Sequence, residues 1–216
     1  MKLTIFGATG PSGQLLVNKA LAAGHEVTAF ARTPSKLAAL SEGRSEKLHI
    51  VSGELTDAAS IETAIAGADV VISLLGPTGK SKGTPIADGM RLIVAAMEKY
   101  GVKRLVATAT PSAQDASDGS SWSFALAVKA IKALVGSAYQ EIVATADVVR
   151  ASSLDWTLVR LPMLTNKPAP RAAKAGYVGD PGIRLFSLSR DALADFLLAE
   201  VDDKTWLRKA PVISNG

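Results

Sequence analysis

The residues best suited to chemistry stand at the start of the chain, where Gly7-Ala8-Thr9-Gly10-Pro11-Ser12-Gly13 follows directly on the apolar run Leu3-Thr4-Ile5-Phe6. Three glycines spaced three apart, between a strand-like and a helix-like run, have separate tasks. Gly7 turns the chain tightly off the strand, Gly10 lets backbone approach a pyrophosphate, and Gly13 lets the helix pack closely against the strand. Thr9, Pro11 and Ser12 complete a turn whose free N–H groups, at the positive end of a helix, would face the phosphates. The chemistry implied is the binding of a dinucleotide.

The second strand-like run, residues 26–31, ends where an acidic residue would hydrogen-bond a ribose 2′-hydroxyl. No such residue is present, and the chain reads Ala31-Arg32-Thr33-Pro34-Ser35-Lys36. A guanidinium presents two parallel donors to an oxyanion and stacks on a flat base. Arg32, with Thr33 and Lys36 beside it, therefore favours a 2′-phosphate, and the expected cofactor is NADP(H). For Lys36 a solvated charge at a helix start is a common alternative.

These residues need a scaffold. Strand-like runs at 2–6, 26–31, 47–51, 69–74, 104–108 and 156–160, with a weaker one at 211–214, alternate with helical stretches at 14–23, 58–66, 85–100 and 136–151. This is the pattern of a parallel sheet covered by helices on both faces. Gly24 suits the end of the first helix, Asp57 or Thr56 the start of the second, and Pro85 the first turn of the third. In such sheets ligands bind beyond the carboxyl ends of the strands. The segments there are Glu54-Leu55, Leu74-Leu75-Gly76, Thr108-Ala109-Thr110 with Ser112, and Pro162-Met163, which complete the expected cofactor and substrate contacts. Residues 111–124, ending in Trp122-Ser123-Phe124, read as a loop over the site, with Trp122 either stacking on a planar substrate or tying the loop down. A second mobile candidate spans residues 165–180, with Arg171 and Lys174 available to an acidic substrate or simply solvated.

Together the glycine turn, Arg32, Leu74-Leu75-Gly76 and the run Ser153-Leu154-Asp155-Trp156-Thr157-Leu158-Val159-Arg160-Leu161-Pro162 resemble the atypical short-chain dehydrogenase/reductase group. The resemblance is to compact NAD(P)H-binding proteins similar to biliverdin-IXβ reductase/flavin reductase and to NmrA-like proteins. It implies an α/β, Rossmann-like doubly wound parallel sheet of about six to seven strands. Residues 1–216 would form one domain with a small substrate-covering region built from C-terminal loops. The Tyr-x-x-x-Lys pair of many short-chain dehydrogenases, in which lysine lowers the tyrosine pKa, is not intact around Tyr139. The resemblance then implies that Thr110 faces nicotinamide and substrate, and that Met163 stands where the flavin reductases carry a histidine. Two activities follow as expectations: NADPH-dependent hydride transfer to a flat electron-poor acceptor (flavin, quinone or tetrapyrrole), or a non-catalytic NADP(H)-sensing regulator that binds a protein partner.

At 216 residues the chain suits one α/β domain rather than a nucleotide domain plus a large substrate domain. Lys and Arg number 24 against 20 Asp and Glu, a formal charge of +4 that is dispersed along the chain, so no nucleic-acid partner is expected. The absence of cysteine excludes disulfides and thiolate chemistry, and the two histidines, His25 and His49, form no ligand cluster, so no metal is expected. No apolar run reaches the ~20 residues that cross a bilayer, and the chain enters a core strand within two residues of its start. A cytoplasmic protein without a membrane partner is the resulting expectation.

Overall fold

In a computed structural model, residues 1–41, 46–77, 83–119, 126, 128–129, 133, 136–169 and 171–215 are described. Strand β1 (Lys2–Phe6) shows how the sequence builds the layers. Its side chains alternate between faces, so Leu3 and Ile5 enter one apolar layer and Phe6 the other. Thr4 shares the Phe6 face and is buried, and its hydroxyl donates to the Ala64 carbonyl at 2.6 Å, so no polar group is orphaned there.

Helix α1 (Pro11–Ala22) returns the chain to β2 (Glu26–Ala31), and a 3-10 turn (Pro34–Leu37) leads through the short α2 (Ala38–Ser41) toward β3 (Leu48–Ser52). There follow α3 (Ala58–Ile65), β4 (Val70–Ser73), α4 (Pro85–Tyr100), β5 (Arg104–Ala109), α5 (Gly136–Ala151) and β6 (Asp155–Arg160). The C-terminal part holds β7 (Leu164–Thr165), β8 (Ala173–Gly176), β9 (Leu188–Ser189), α6 (Arg190–Ala199) and β10 (Val212–Asn215). The main sheet has the order β3-β2-β1-β4-β5-β6-β10-β8. Its strands pair in parallel except for β8, which runs antiparallel to β10. Order reverses between β1 and β4, which opens a crevice at their carboxyl ends.

Helices α1 and α6 cover one face, packing Leu16, Val17, Leu193 and Leu197 on Leu3 and Ile5. Helices α3, α4 and α5 cover the other, with Ile61, Met90, Ile93 and Val149 against Phe6 and Leu105. The caps follow local chemistry. Asp57 accepts from the N–H groups of Ala59 (3.1 Å) and Ser60 (3.2 Å) at the start of α3. Gly24, two residues beyond the end of α1, has φ +89°, and Gly101 follows α4 at φ +71°, conformations that favour glycine.

Three features depart from the sequence-based expectation. The main sheet has eight strands rather than six or seven. The added strand β8 is Ala-Lys-Ala-Gly, a segment of poor strand propensity held by its ladder to β10, so residues 165–180 are partly built into the sheet. Helix α6 lies outside the helical stretches read from the sequence; it forms because Ala192, Leu193, Ala194 and Leu197 bury against α1.

Candidate functional site

The glycine turn occupies the switch point. A Cβ on Gly13 would sit 2.2 Å from the Gly7 carbonyl oxygen, so only glycine lets α1 start this close to β1. Gly10 is different. A Cβ there would meet nothing nearer than the Gly7 oxygen at 3.5 Å, and one on Gly76 would meet nothing within 4 Å. The protein's own packing thus does not demand glycine at either position, as expected where backbone must lie open to a ligand. Helix α1 carries no side-chain cap and no acidic residue in its first turn. Its leading N–H groups and positive dipole end are available to an anion. On these observations the residues fit a dinucleotide pyrophosphate.

From this turn a cavity of about 460 Å³ runs along the crevice, lined by Gly7, Thr9 and Gly10, by Phe30 near the end of β2 and Arg32 just after it, and by Glu54 and Leu55 after β3. Leu74, Leu75 and Gly76 close its far side. Arg32 is exposed at the lip and makes no hydrogen bond or ion pair with any described residue. Thr33 and Lys36 lie exposed on the following turn, outside this lining. Pro11 occupies the first turn of α1, and Ser12 and Gly13 are buried in the packing behind it.

A second cavity, about 220 Å³, shares Leu74, Leu75, Gly76, Pro77 and Ile86 with the first. It is completed by Thr108, Ala109 and Thr110 at the end of β5, by Leu161, Pro162 and Leu164 beyond β6, and by Glu141, Ile142 and Thr145 of α5. The wall is mainly apolar. Thr108 is buried, and its hydroxyl donates to the Ser73 carbonyl at 3.2 Å. Thr110 and Ser112 share a hydrogen bond of 2.6 Å between their hydroxyls. Ser112 is itself buried and outside the lining, so it reaches the cavity only through Thr110.

Two expectations are corrected. Met163 is 74% exposed and does not line the cavity; its neighbours Pro162 and Leu164 do, because an extended chain alternates its side chains. Residues 111–119 do not lie over the cavity but are pinned beside it. Arg160, fully buried, donates to both Asp118 carboxylate oxygens at 2.6 Å and to the Ala210 carbonyl at 2.7 Å. Arg150 donates to the Gln114 carbonyl at 2.9 Å, and Gly119 N–H to the Val178 carbonyl at 2.7 Å. Burial pushes the Asp118 carboxyl up, but Arg160 and the N–H groups of Asp115 and Val178 outweigh it and hold the group below the usual aspartate range. Tyr139 is half-buried and outside the cavity lining, to which α5 presents Glu141, Ile142 and Thr145. Trp122 lies outside the described residues.

Glu141 is the residue that sequence reasoning missed. Its Oε1 accepts from the N–H groups of Ile86 (3.1 Å) and Ala87 (2.8 Å), capping α4 from a different helix. The available signal was the weak start of α4, where Thr84 precedes Pro85 without a side-chain cap. Among the described residues no group of three or more His, Cys, Asp or Glu could hold a metal, and no helix is long and apolar enough to cross a membrane.

A doubly wound sheet with an uncapped glycine turn at its switch point defines a dinucleotide-binding protein. The chain belongs to the NAD(P)H-binding family whose sequence model matches residues 7–204, and its resemblance to the atypical short-chain dehydrogenase/reductase, NmrA-like proteins is supported by the relatives and structures it matches. It is 29% identical to phenylcoumaran benzylic ether reductase IRL1 of Ginkgo biloba over 96% of this chain and 67% of that protein. It is 36% identical to isoflavone reductase homolog IRL of Zea mays over 48% of this chain, but spans only a third (33%) of that relative's length. Among solved structures, ChuY, an anaerobilin reductase from Escherichia coli O157:H7, superposes with TM-score 0.78 at 20% identity, covering 100% of this chain and 97% of ChuY. A short-chain dehydrogenase/reductase from Veillonella parvula in complex with NADP superposes with TM-score 0.74 at 21% identity, covering 99% and 94%.

Proposed function

We propose that the protein is an NADPH-dependent reductase that delivers hydride to a flat, electron-poor acceptor of the flavin, quinone or tetrapyrrole class. The observation that carries the reading is the mainly apolar cavity of about 220 Å³ joined to the end of the dinucleotide crevice, the space in which an acceptor ring would meet a nicotinamide. Relatives named as reductases of plant phenolics and of a tetrapyrrole support the reaction class. When bound, the reduced dinucleotide supplies the hydride, and the two-electron reduction is completed by a proton from water. The residues bind and orient. Leading N–H groups of α1 receive the pyrophosphate, Arg32 the 2′-phosphate, and Thr110 a polar edge of the nicotinamide or acceptor. Leu74, Leu75, Ile142 and Leu161 hold two flat rings together and exclude water. Such an acceptor brings its own electrophilicity, so the lost Tyr-x-x-x-Lys pair is not required.

The test is the rate of nicotinamide oxidation with NADPH and with NADH against a panel of flavins, quinones and biliverdin. NADPH-selective turnover with at least one acceptor is expected. Tight NADPH binding without turnover overturns the reductase reading in favour of an NADP(H)-sensing regulator.

A further inference from the structure

The polar groups around the smaller cavity are unequally satisfied. Glu141 is fully buried and lines it; Oε1 is occupied by the Ile86 and Ala87 N–H groups, whereas Oε2 has no hydrogen-bond partner among the described residues. A buried oxygen without a partner costs about 1–3 kcal/mol, so its retention calls for a reason. The nearby hydroxyl protons are already committed. Thr145 donates to the Glu141 carbonyl at 2.8 Å and Thr108 to that of Ser73 at 3.2 Å. Thr110 and Ser112 spend one of their two protons on each other. Among the side chains of the described residues, the wall therefore offers one unpaired acceptor at Glu141 and one hydroxyl donor at the Thr110–Ser112 pair.

We propose that Glu141 Oε2 is a specificity-determining contact that accepts a hydrogen bond from an N–H on the edge of the acceptor, with Thr110 serving a carbonyl on the same edge. This rests on the reductase reading and narrows it. An imide or lactam edge, N–H beside C=O, matches the two groups. A quinone, which has carbonyls but no N–H, would leave Oε2 buried and unpaired. The same oxygen would also suit the carboxamide N–H of nicotinamide, and the experiment separates the two sources.

Lumiflavin and its N3-methyl analogue are the probes, used with the full-length protein and its Glu141→Gln variant. Glutamine keeps an oxygen for the α4 N–H groups and turns a donor into the cavity. Binding is read from flavin fluorescence quenching in the presence of NADP+, independently of turnover, and NADPH affinity is titrated separately. Wild-type protein is expected to bind lumiflavin about tenfold or more tightly than the N3-methyl analogue. Glu141→Gln should abolish that discrimination, leaving NADPH affinity unchanged. Equal wild-type binding of both flavins, binding of neither, or a Gln variant impaired chiefly in NADPH affinity would each overturn the proposal. The wild-type comparison stands even where the variant fails to fold. If discrimination is seen without turnover, the reductase reading fails and the Glu141 contact survives.

Discussion

The two ends of the same sheet each bury an arginine–carboxylate pair, and they use it differently. At the carboxyl end Arg160, closing β6, grips both oxygens of Asp118 and so fixes the segment that begins with Thr110. At the amino end Arg104, opening β5, donates to the Glu200 carbonyl at 2.6 Å and to its Oε2 at 3.2 Å, tying the end of α6 to the strands. Their carboxyl groups shift in opposite directions. Asp118, paired through both oxygens, is held below its ordinary value despite burial. Glu200 is raised, chiefly by burial, which the Arg104 charge offsets only in part. A pair with full geometry supports the ionised form, whereas one with a single side-chain contact does not repay desolvation. The carboxyl end also holds the open glycines, Arg32 and Glu141; the amino end is scaffold.

Substitutions at the two ends should therefore separate ligand binding from stability. The largest effect is expected from Gly13→Val, whose Cβ would lie 2.2 Å from the Gly7 oxygen; NADPH fluorescence titration should show no binding, with circular dichroism reporting how much of the fold survives. Arg160→Met leaves the Asp118 carboxylate without its charge partner, held only by the N–H groups of Asp115 and Val178, a loss of about 3 kcal/mol in denaturant unfolding, and should also lower turnover by freeing the Thr110 segment. Arg32→Asp should weaken NADPH about tenfold to a hundredfold more than NADH without moving the melting temperature. Equal losses for both cofactors would remove the 2′-phosphate from the picture.

The smallest effect belongs to the amino end, where Glu200→Gln should change stability by less than about 1 kcal/mol at neutral pH and leave NADPH affinity intact. Acid titration sharpens the contrast. The Asp118 carboxyl, lowered from 3.8, contributes stability that is complete above that value and is lost as pH falls through its lower folded value. Glu200, raised from 4.5, contributes most below that value and loses its contribution as pH rises through the folded one. Unfolding free energy measured from about pH 6 down to about pH 3 should thus fall less steeply in Asp118→Asn and more steeply in Glu200→Gln than in the parent. The same slope in both variants would erase the distinction.

Much of the fold was legible because its signals are local. Residues 2–6 and 26–31 were read as strands with the bounds observed, since each is a buried apolar run next to a glycine or turn. Helix α4 starts at Pro85 and ends before Gly101, two residues whose backbone preferences mark boundaries by themselves. Strand β8 could not be read that way, because Ala173-Lys174-Ala175-Gly176 becomes a strand only by pairing with residues 212–215. That Gly7, Gly10 and Arg32 line one crevice was likewise legible, since they lie in one strand–helix–strand unit.

The sequence by itself determined a doubly wound sheet and a dinucleotide turn, because backbone freedom at glycine and the alternation of apolar runs are properties of neighbouring residues. Tertiary structure decided the smaller cavity. Only folding brings Glu141 to the start of α4, 54 residues away in sequence at Ala87, leaves Tyr139 and Met163 outside the cavity lining, and joins Arg160 to Asp118 across 42 residues. Those contacts depend on the packing of separate elements, and a hydrogen bond between distant residues leaves no pattern along the chain.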